Sequence, residues 1–312
     1  MIGFVGLGRM GRGMAANLFR RSGEEVMVFD TSPEAIEALV SIGAIAASSI
    51  GELTRSSTVV FTSLPGPPQV EEVVFGSGGI LDNLQPGFVL FDLSTNSLSL
   101  QRRIYDAFAL RGAAMLDAPV SGGPAGATSG DLAIWVGGTR ELYDRHLPLL
   151  RSIGDQPRYV GGLGAGTVTK LSHNMLGYMI MLSMAEVFSM AVKAGVDPLD
   201  LWESIRMGVV GKQSPLDMLT KQFLPGLYET PAMALRLGHK DMTLGTMLGH
   251  ELGVAMRMAD LTHAEMTEAL ARGLGDQDSR AYLKLQLERA DVEIAVDPGR
   301  LSAAIEAIRK QG

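Results

Sequence analysis

A lysine and an asparagine carry the clearest chemical signal in this 312-residue sequence. Lys170 and Asn174 stand four residues apart between Gly161 and Gly195, a stretch that opens on a glycine-rich turn and continues as one apolar helical pattern. That spacing puts both on one face of a helix, and Gly177 and Met181 continue the face. An amine in apolar surroundings loses the solvation of its charged form. Its pKa falls toward neutrality, and it can then accept and return a proton. Most helical lysines are merely solvated, but two features set Lys170 apart. Its helix is otherwise apolar, and it is the first lysine in the chain. The sequence has 20 Arg and seven Lys, and the first 169 residues carry their positive charge on arginine alone.

A second group is Ser121-Gly122-Gly123, a hydroxyl beside two unhindered backbone N–H groups. Such a group can cradle a carboxylate or similar anion; taken alone, the same residues equally suit a flexible surface turn. A third is Gly6-Leu7-Gly8-Arg9-Met10-Gly11, followed by an acid, Asp30, 19 residues after the last glycine. The first glycine permits a tight turn, the second lets backbone approach a pyrophosphate, and the third lets helix and strand pack closely. A carboxylate at Asp30 accepts from ribose hydroxyls and repels a 2′-phosphate. Thr31, Ser32 and Pro33 follow it with no arginine to hold a phosphate, so the sequence points to NAD over NADP.

These groups need elements to position them. Residues 2–5 and 26–29 read as buried strands flanking a helix in which Met10, Met14 and Leu18 recur and which Gly23 stops. Ser32-Pro33-Glu34 is an N-cap with proline at the first helical position. Further strands are expected at 58–63, 88–92, 115–117 and 133–136, with helices at 70–75, 97–111 and 140–153. This alternation implies an α/β Rossmann-type fold, a doubly wound, mostly parallel sheet whose ligands bind beyond the carboxyl ends of the strands. Three loops fall there: Leu64-Pro65-Gly66-Pro67-Pro68, Asp92 to Asn96, and Asp117 to Ala127. From Pro198 on no convincing strand is expected, only helices at about 198–207, 216–223, 233–253, 257–273, 278–294 and 298–310. The sequence therefore divides into a nucleotide-binding domain, 1–161, and an all-α second domain, 162–312, joined by a long helix at about 166–194. The methionines of the second half read as core filler.

Composition narrows the function. Net charge is −7, and residues 1–161 hold 12 basic and 16 acidic residues, so no basic patch suits a nucleic acid. No cysteine is present, and the five histidines lack metal-ligand spacing, so neither a disulfide nor a metal site is expected. Ser183, Glu186 and Ser189 interrupt the longest apolar run, which reads as a buried helix of a soluble, cytoplasmic protein rather than a membrane span.

With these pieces assembled, the sequence resembles the β-hydroxyacid dehydrogenase family, whose members include 3-hydroxyisobutyrate dehydrogenase, tartronate semialdehyde reductase and, more distantly, 6-phosphogluconate dehydrogenase. The matching stretches are GFVGLGRMG at the start, FDLST at 91–95, DAPVSGGPAGATSGDLAIWVGG at 117–138, GAGTVTKLSHN at 164–174 and LGHKDMTLG at 237–245. The resemblance implies hydride transfer between a short 3-hydroxy acid and NAD, with Lys170 as the catalytic lysine. It implies that Ser121, Gly122 and Gly123 bind the substrate carboxylate, that Asn174 orients the substrate, and that Lys240 closes over the site from the second domain. It implies cofactor contacts at Gly6, Leu7, Gly8, Arg9, Met10, Gly11, Asp30, Leu64, Pro65, Thr95 and Lys240. A homodimer or homotetramer is the assembly it implies.

One departure from relatives similar to 3-hydroxyisobutyrate dehydrogenase is Pro231-Ala232-Met233-Ala234-Leu235, where those tend to place an aromatic residue near Met233. Two other functions are open to such a scaffold. An imine reductase on a related scaffold usually lacks the catalytic lysine, and a non-catalytic NAD-binding protein would not need Lys170, Asn174, Ser121 and Lys240 together.

Overall fold

The computed structural model describes residues 1–309. The expected terminal helix, 298–310, thus reaches one residue outside the described ones. Two compact units divide within the long helix, the first being Met1–Leu176 and the second starting at Gly177.

The first unit runs β1 (Ile2–Val5), α1 (Gly11–Ser22), β2 (Val26–Phe29), α2 (Pro33–Val40), β3 (Ile45–Ala46), α3 (Ile50–Ser56), β4 (Val59–Thr62), α4 (Pro67–Phe75), α5 (Ile80–Asn83), β5 (Val89–Asp92) and α6 (Leu98–Ala109). It continues through β6 (Ala114–Asp117), β7 (Val120–Ser121), α7 (Gly123–Ser129), β8 (Ala133–Gly137), α8 (Arg140–Ile153) and β9 (Gln156–Gly161) into α9 (Ala165–Lys193). The sheet order is β3-β2-β1-β4-β5-β6-β8-β7, with β9 paired to β8. Strands from β3 to β6 are parallel, and β8 is antiparallel to both β6 and β7. Strand order reverses between β1 and β4, which opens a crevice at their carboxyl ends.

The strands alternate between two cores because successive side chains point to opposite faces. Phe4, Phe61 and Phe91 share one face in register and stack, with ring centres 6.2 and 5.1 Å apart. Val5, Val60 and Leu90, next to them in sequence, bury into the other face. Each fully buried side chain of this kind contributes about 1.5–3 kcal/mol.

The six expected strands are all present, and α8 matches its expected span. Three strands and three helices of this unit lie outside the reading. β3 and β7 are two residues long, too short for a pattern. β9 carries Pro157 and polar residues yet pairs along β8, because a sheet edge tolerates proline. α3 did have a signal: Ser49 accepts from the Glu52 amide while Glu52 accepts from Ser48. α5 is a single turn, and α7 is so rich in glycine that no apolar period marks it.

The second unit is helical: α10 (Pro198–Met207), α11 (Val209–Lys212), a 3-10 turn (Asp217–Leu219), α12 (Leu235–Glu251), α13 (Arg257–Ala271), α14 (Leu283–Arg289) and α15 (Pro298–Arg309). The helix expected at 216–223 is only that 3-10 turn, and the one at 278–294 shrinks to α14. Asp278 is consumed in a turn, where its carboxylate accepts the amides of Ala232 and Arg280. The core of this unit is small, built on Tyr228, Leu235, Met266, Ala269, Ala281 and Leu285. Met256 and Met266 are buried, as expected of core filler, whereas Met233 and Met247 are exposed.

The buried apolar helix expected at 166–194 is corrected. α9 spans almost those residues, but only 6% of its most apolar window is buried. Met175, Tyr178, Met181 and Leu182 are all exposed. Length and hydropathy would let α9 cross a bilayer. Its Glu186, however, accepts from the amides of Met258 and Ala259 and so caps α13.

Candidate active site

The chain leaves β1 at Val5 and turns through Gly6 to Gly11 into α1. Gly6 has a φ of +94°, and a Cβ on Gly11 would overlap the Gly6 carbonyl oxygen, so both positions require glycine. No side chain caps the start of α1. The Arg12 amide donates to the Gly8 carbonyl at 3.1 Å, and the remaining first-turn amides are left for an anion, where the helix dipole favours negative charge. A cavity of about 580 Å³ lies over this turn. Gly6, Gly8, Arg9, Met10 and Gly11 line one side, and Asp30, Leu64 and Pro65 line others. Nothing lies within 4 Å of where a Cβ on Gly8 would sit, so backbone there is open to a ligand. The uncapped helix start, the open glycine and the acid at the rim fit a dinucleotide.

Asp30 also makes contacts within the fold that its spacing did not reveal. Its carboxylate accepts from the Leu7 amide at 2.5 Å and from the Ser32 amide at 2.8 Å, tying the glycine turn to the end of β2. Leu7 itself is buried and reaches this arrangement only through its amide. Gln69 and Glu72 of α4 also line the cavity and went unread in the sequence. They sit on the polar side of an amphipathic helix, where such residues look merely solvated.

A smaller cavity, about 250 Å³, adjoins the first and shares Met10, Ser63 and Leu64 with it. It brings together Thr95, Ser121, Gly122, Gly123 and Lys170 from three parts of the sequence, with Ser94 in addition. Ser121 ends β7, and Gly122, at a φ of +145°, turns the chain into α7. The loop expected around Ser121 is therefore ordered by a short strand and a helix start.

The 92–96 loop is held from beneath. Asp92 is fully buried and accepts from Thr62 Oγ1 at 2.9 Å, the Ser94 amide at 3.0 Å, Asn96 Nδ2 at 2.9 Å and Gln101 Nε2 at 2.8 Å. Burial pushes its carboxyl above the usual range, and the donors, led by Ser94, oppose that. The hydroxyl of Ser94 accepts from the Leu64 amide at 2.9 Å, which joins this loop to the proline loop.

Lys170 is half-buried, and burial lowers its amine below the usual lysine range. Trp135 of β8 lies beside it, with the amine nitrogen 6.0 Å from the ring centre. Asn174 is one turn further along α9, where its Oδ1 lies 3.1 Å from Nδ1 of His173, and it does not line the smaller cavity. Lys240 belongs to α12 of the second unit, exposed and paired with Asp241 at 3.0 Å. Among the described residues no cluster of three or more His, Asp or Glu side chains suits a metal ion.

Residues 1–162 match the family model of the NAD binding domain of 6-phosphogluconate dehydrogenase. Residues 164–286 match that described as NAD-binding of NADP-dependent 3-hydroxyisobutyrate dehydrogenase. The chain belongs to the β-hydroxyacid dehydrogenase family. This dehydrogenase is 35% identical to 3-hydroxyisobutyrate dehydrogenase of Pseudomonas aeruginosa, over 88% of this chain and 90% of that protein. It is 33% identical to 2-(hydroxymethyl)glutarate dehydrogenase of Eubacterium barkeri, over 94% of this chain and 97% of that one. Among solved structures, an imine reductase from Pseudomonas sp. shares the fold, with a TM-score of 0.74, 91% of this chain and 98% of that one covered, and 19% identity. The family match makes this dehydrogenase an oxidoreductase that binds NAD, and the two sequence relatives named above are dehydrogenases of hydroxy acids.

Proposed function

We propose that this dehydrogenase interconverts a short 3-hydroxy acid, similar to 3-hydroxyisobutyrate, and its semialdehyde, with Lys170 as general acid and base. One observation carries the reading. Lys170, lowered toward neutrality by burial, lines the same cavity as Ser121, Gly122, Gly123 and Thr95, directly beside the glycine turn.

In this reading the substrate carboxylate accepts from the Ser121 hydroxyl and the amides of Gly122 and Gly123. The 3-hydroxyl then points at the Lys170 amine. A nicotinamide held beside this cavity would supply the hydride-accepting chemistry. Lys170 takes the hydroxyl proton as the C=O bond forms, and in the reverse direction it returns that proton to the new alkoxide. Asn174 orients the substrate, and Lys240 is assigned to substrate and cofactor binding by the family resemblance. Asp30 holds the adenosine ribose and selects NAD over NADP. Selectivity for the acid falls to the segments around Ser121, Asn174, Met207–Lys212 and Met233, and a cytoplasmic place of action completes the reading.

The imine reductase reading gains nothing from the fold likeness, because the lysine is present here. The test is NADH formation from a panel of hydroxy acids at alkaline pH, comparing kcat/KM across chain length and branching. Turnover of short 3-hydroxy acids is expected. Reduction of cyclic imines with no hydroxy acid oxidised would overturn the proposal, as would cofactor binding without turnover.

We also infer a homodimer, or a tetramer built from dimers. The support is the apolar surface of α9, left uncovered from Met175 to Val192.

A further inference from the structure

We propose that Asp117 is a positioning residue, one buried carboxylate at the end of β6 that sets the helix carrying Lys170 relative to the loop carrying Ser121. The proposal rests on the general acid and base role assigned to Lys170 above.

Asp117 is fully buried. Its Oδ1 accepts from the Gly164 amide at 2.8 Å and its Oδ2 from the Thr167 amide at 2.6 Å. Both donors belong to the start of α9, where backbone N–H groups have no partner inside the helix. A helix is ordinarily capped by the residue that opens it. Here position 164 is glycine, and the cap comes from a strand that lies 47 and 50 residues earlier in sequence. Among the described residues no lysine or arginine pairs with Asp117, and its hydrogen bonds are these two amides at the start of the helix.

The consequence is geometric. Thr167 is three residues before Lys170, and Asp117 is four residues before Ser121. One carboxylate therefore fixes the height and rotation of α9 against the β6–β7 segment. The fit is close: a Cβ on Gly137 would overlap Asp117 Oδ1, and one on Gly166 would overlap the Trp135 carbonyl oxygen. A local serine cap would satisfy the same amides but would not tie the helix to the strand. Misplacement of a reacting group by about 1 Å costs on the order of 100-fold in rate.

Asp117→Asn tests this, because it keeps the shape but turns an NH2 toward one of the two amides. Three measurements are needed: kcat and KM, the pH profile of oxidation, and the pH dependence of Lys170 acetylation by acetic anhydride, read by mass spectrometry. The expected result is a kcat lowered about 10- to 100-fold with NADH affinity unchanged. The pH profile and the labelling curve should both move to higher pH, as the amine leaves its desolvated position. A variant that loses stability, yet keeps wild-type kcat per folded molecule and both pH curves, would overturn the proposal.

If Asp117→Asn does not fold, Thr167→Pro deletes one donor and leaves the carboxylate, since a first helical turn accepts proline. The same direction of shift is expected, and unchanged curves would overturn the proposal. Lys170→Ala separates the two assignments. Turnover retained there refutes the role of Lys170, whereas the labelling curves report on positioning without any turnover.

Discussion

The amine nitrogen of Lys170 lies 6.0 Å from the centre of the Trp135 indole. Two effects oppose each other at this distance. The ring face attracts the charged amine, by about 0.5–1 kcal/mol at partly exposed sites. The bulk of the ring also strips water from it. Burial holds the amine below its ordinary range, and Trp135 is the aromatic ring beside it. Trp135→Ala is therefore expected to raise the Lys170 pKa and move the acid limb of the oxidation profile to higher pH. A profile that stayed in place would show that other groups desolvate the amine.

Lys170→Met should separate catalysis from stability. Turnover should vanish while NADH binding, followed by fluorescence, persists. The folded state holds the amine below its ordinary pKa of 10.5, so it binds fewer protons than the unfolded state between the two values. Stability from this site thus rises with pH across that window, and the penalty is fully present below the folded pKa. The methionine variant should melt higher than the wild type near neutral pH, and the gain should shrink toward about pH 10. A variant that melts lower at neutral pH would contradict the desolvation account.

Asp30→Asn should weaken cofactor choice in both directions. The neutral amide no longer repels a 2′-phosphate and holds ribose hydroxyls less well. Loss of a charge-assisted hydrogen bond costs about 1.5–3 kcal/mol, or about 10- to 100-fold in kcat/KM for NAD. NADP turnover should rise at the same time. Wild-type selectivity in this variant would remove Asp30 from that role. Its ties to Leu7 and Ser32 predict a modest fall in melting temperature as well.

Tyr178 and Leu182 are one turn apart on the uncovered face of α9, 75% and 58% exposed. Light scattering at micromolar concentration should show a dimer or larger. Tyr178→Glu or Leu182→Glu should yield a monomer with unchanged circular dichroism, since neither side chain belongs to a core. A wild-type monomer would remove the assembly from the proposal.

Much of the fold was legible in the sequence because its signals are local. Strand β1, the glycine turn and Asp30 lie within one short span, and each residue is dictated by backbone geometry or charge. The first-half strands and α8 were readable for the same reason, since buried runs and helical periods need no knowledge of neighbours. The helices expected at 216–223 and 278–294 failed because turn chemistry overrode a weak period, with Asp278 bound to backbone amides. The exposure of α9 could not be read, because an apolar pattern says that a face needs covering and not what covers it.

The candidate site divides along the same line. Sequence alone determined which residue types are available for chemistry: Lys170 in an apolar helix, the Ser121-Gly122-Gly123 group and the glycine turn with Asp30, with no cysteine among them. Tertiary structure decided that Lys170 meets Ser121 and Thr95 in one cavity, and that Trp135 supplies the apolar contact beside the amine. It also decided that Asp92 and Asp117, which look like ordinary strand-end acids, are buried acceptors holding two loops and a helix start. The physical reason is that a parallel sheet gathers the carboxyl ends of strands distant in sequence, and hydrogen bonds and desolvation act through space rather than along the chain.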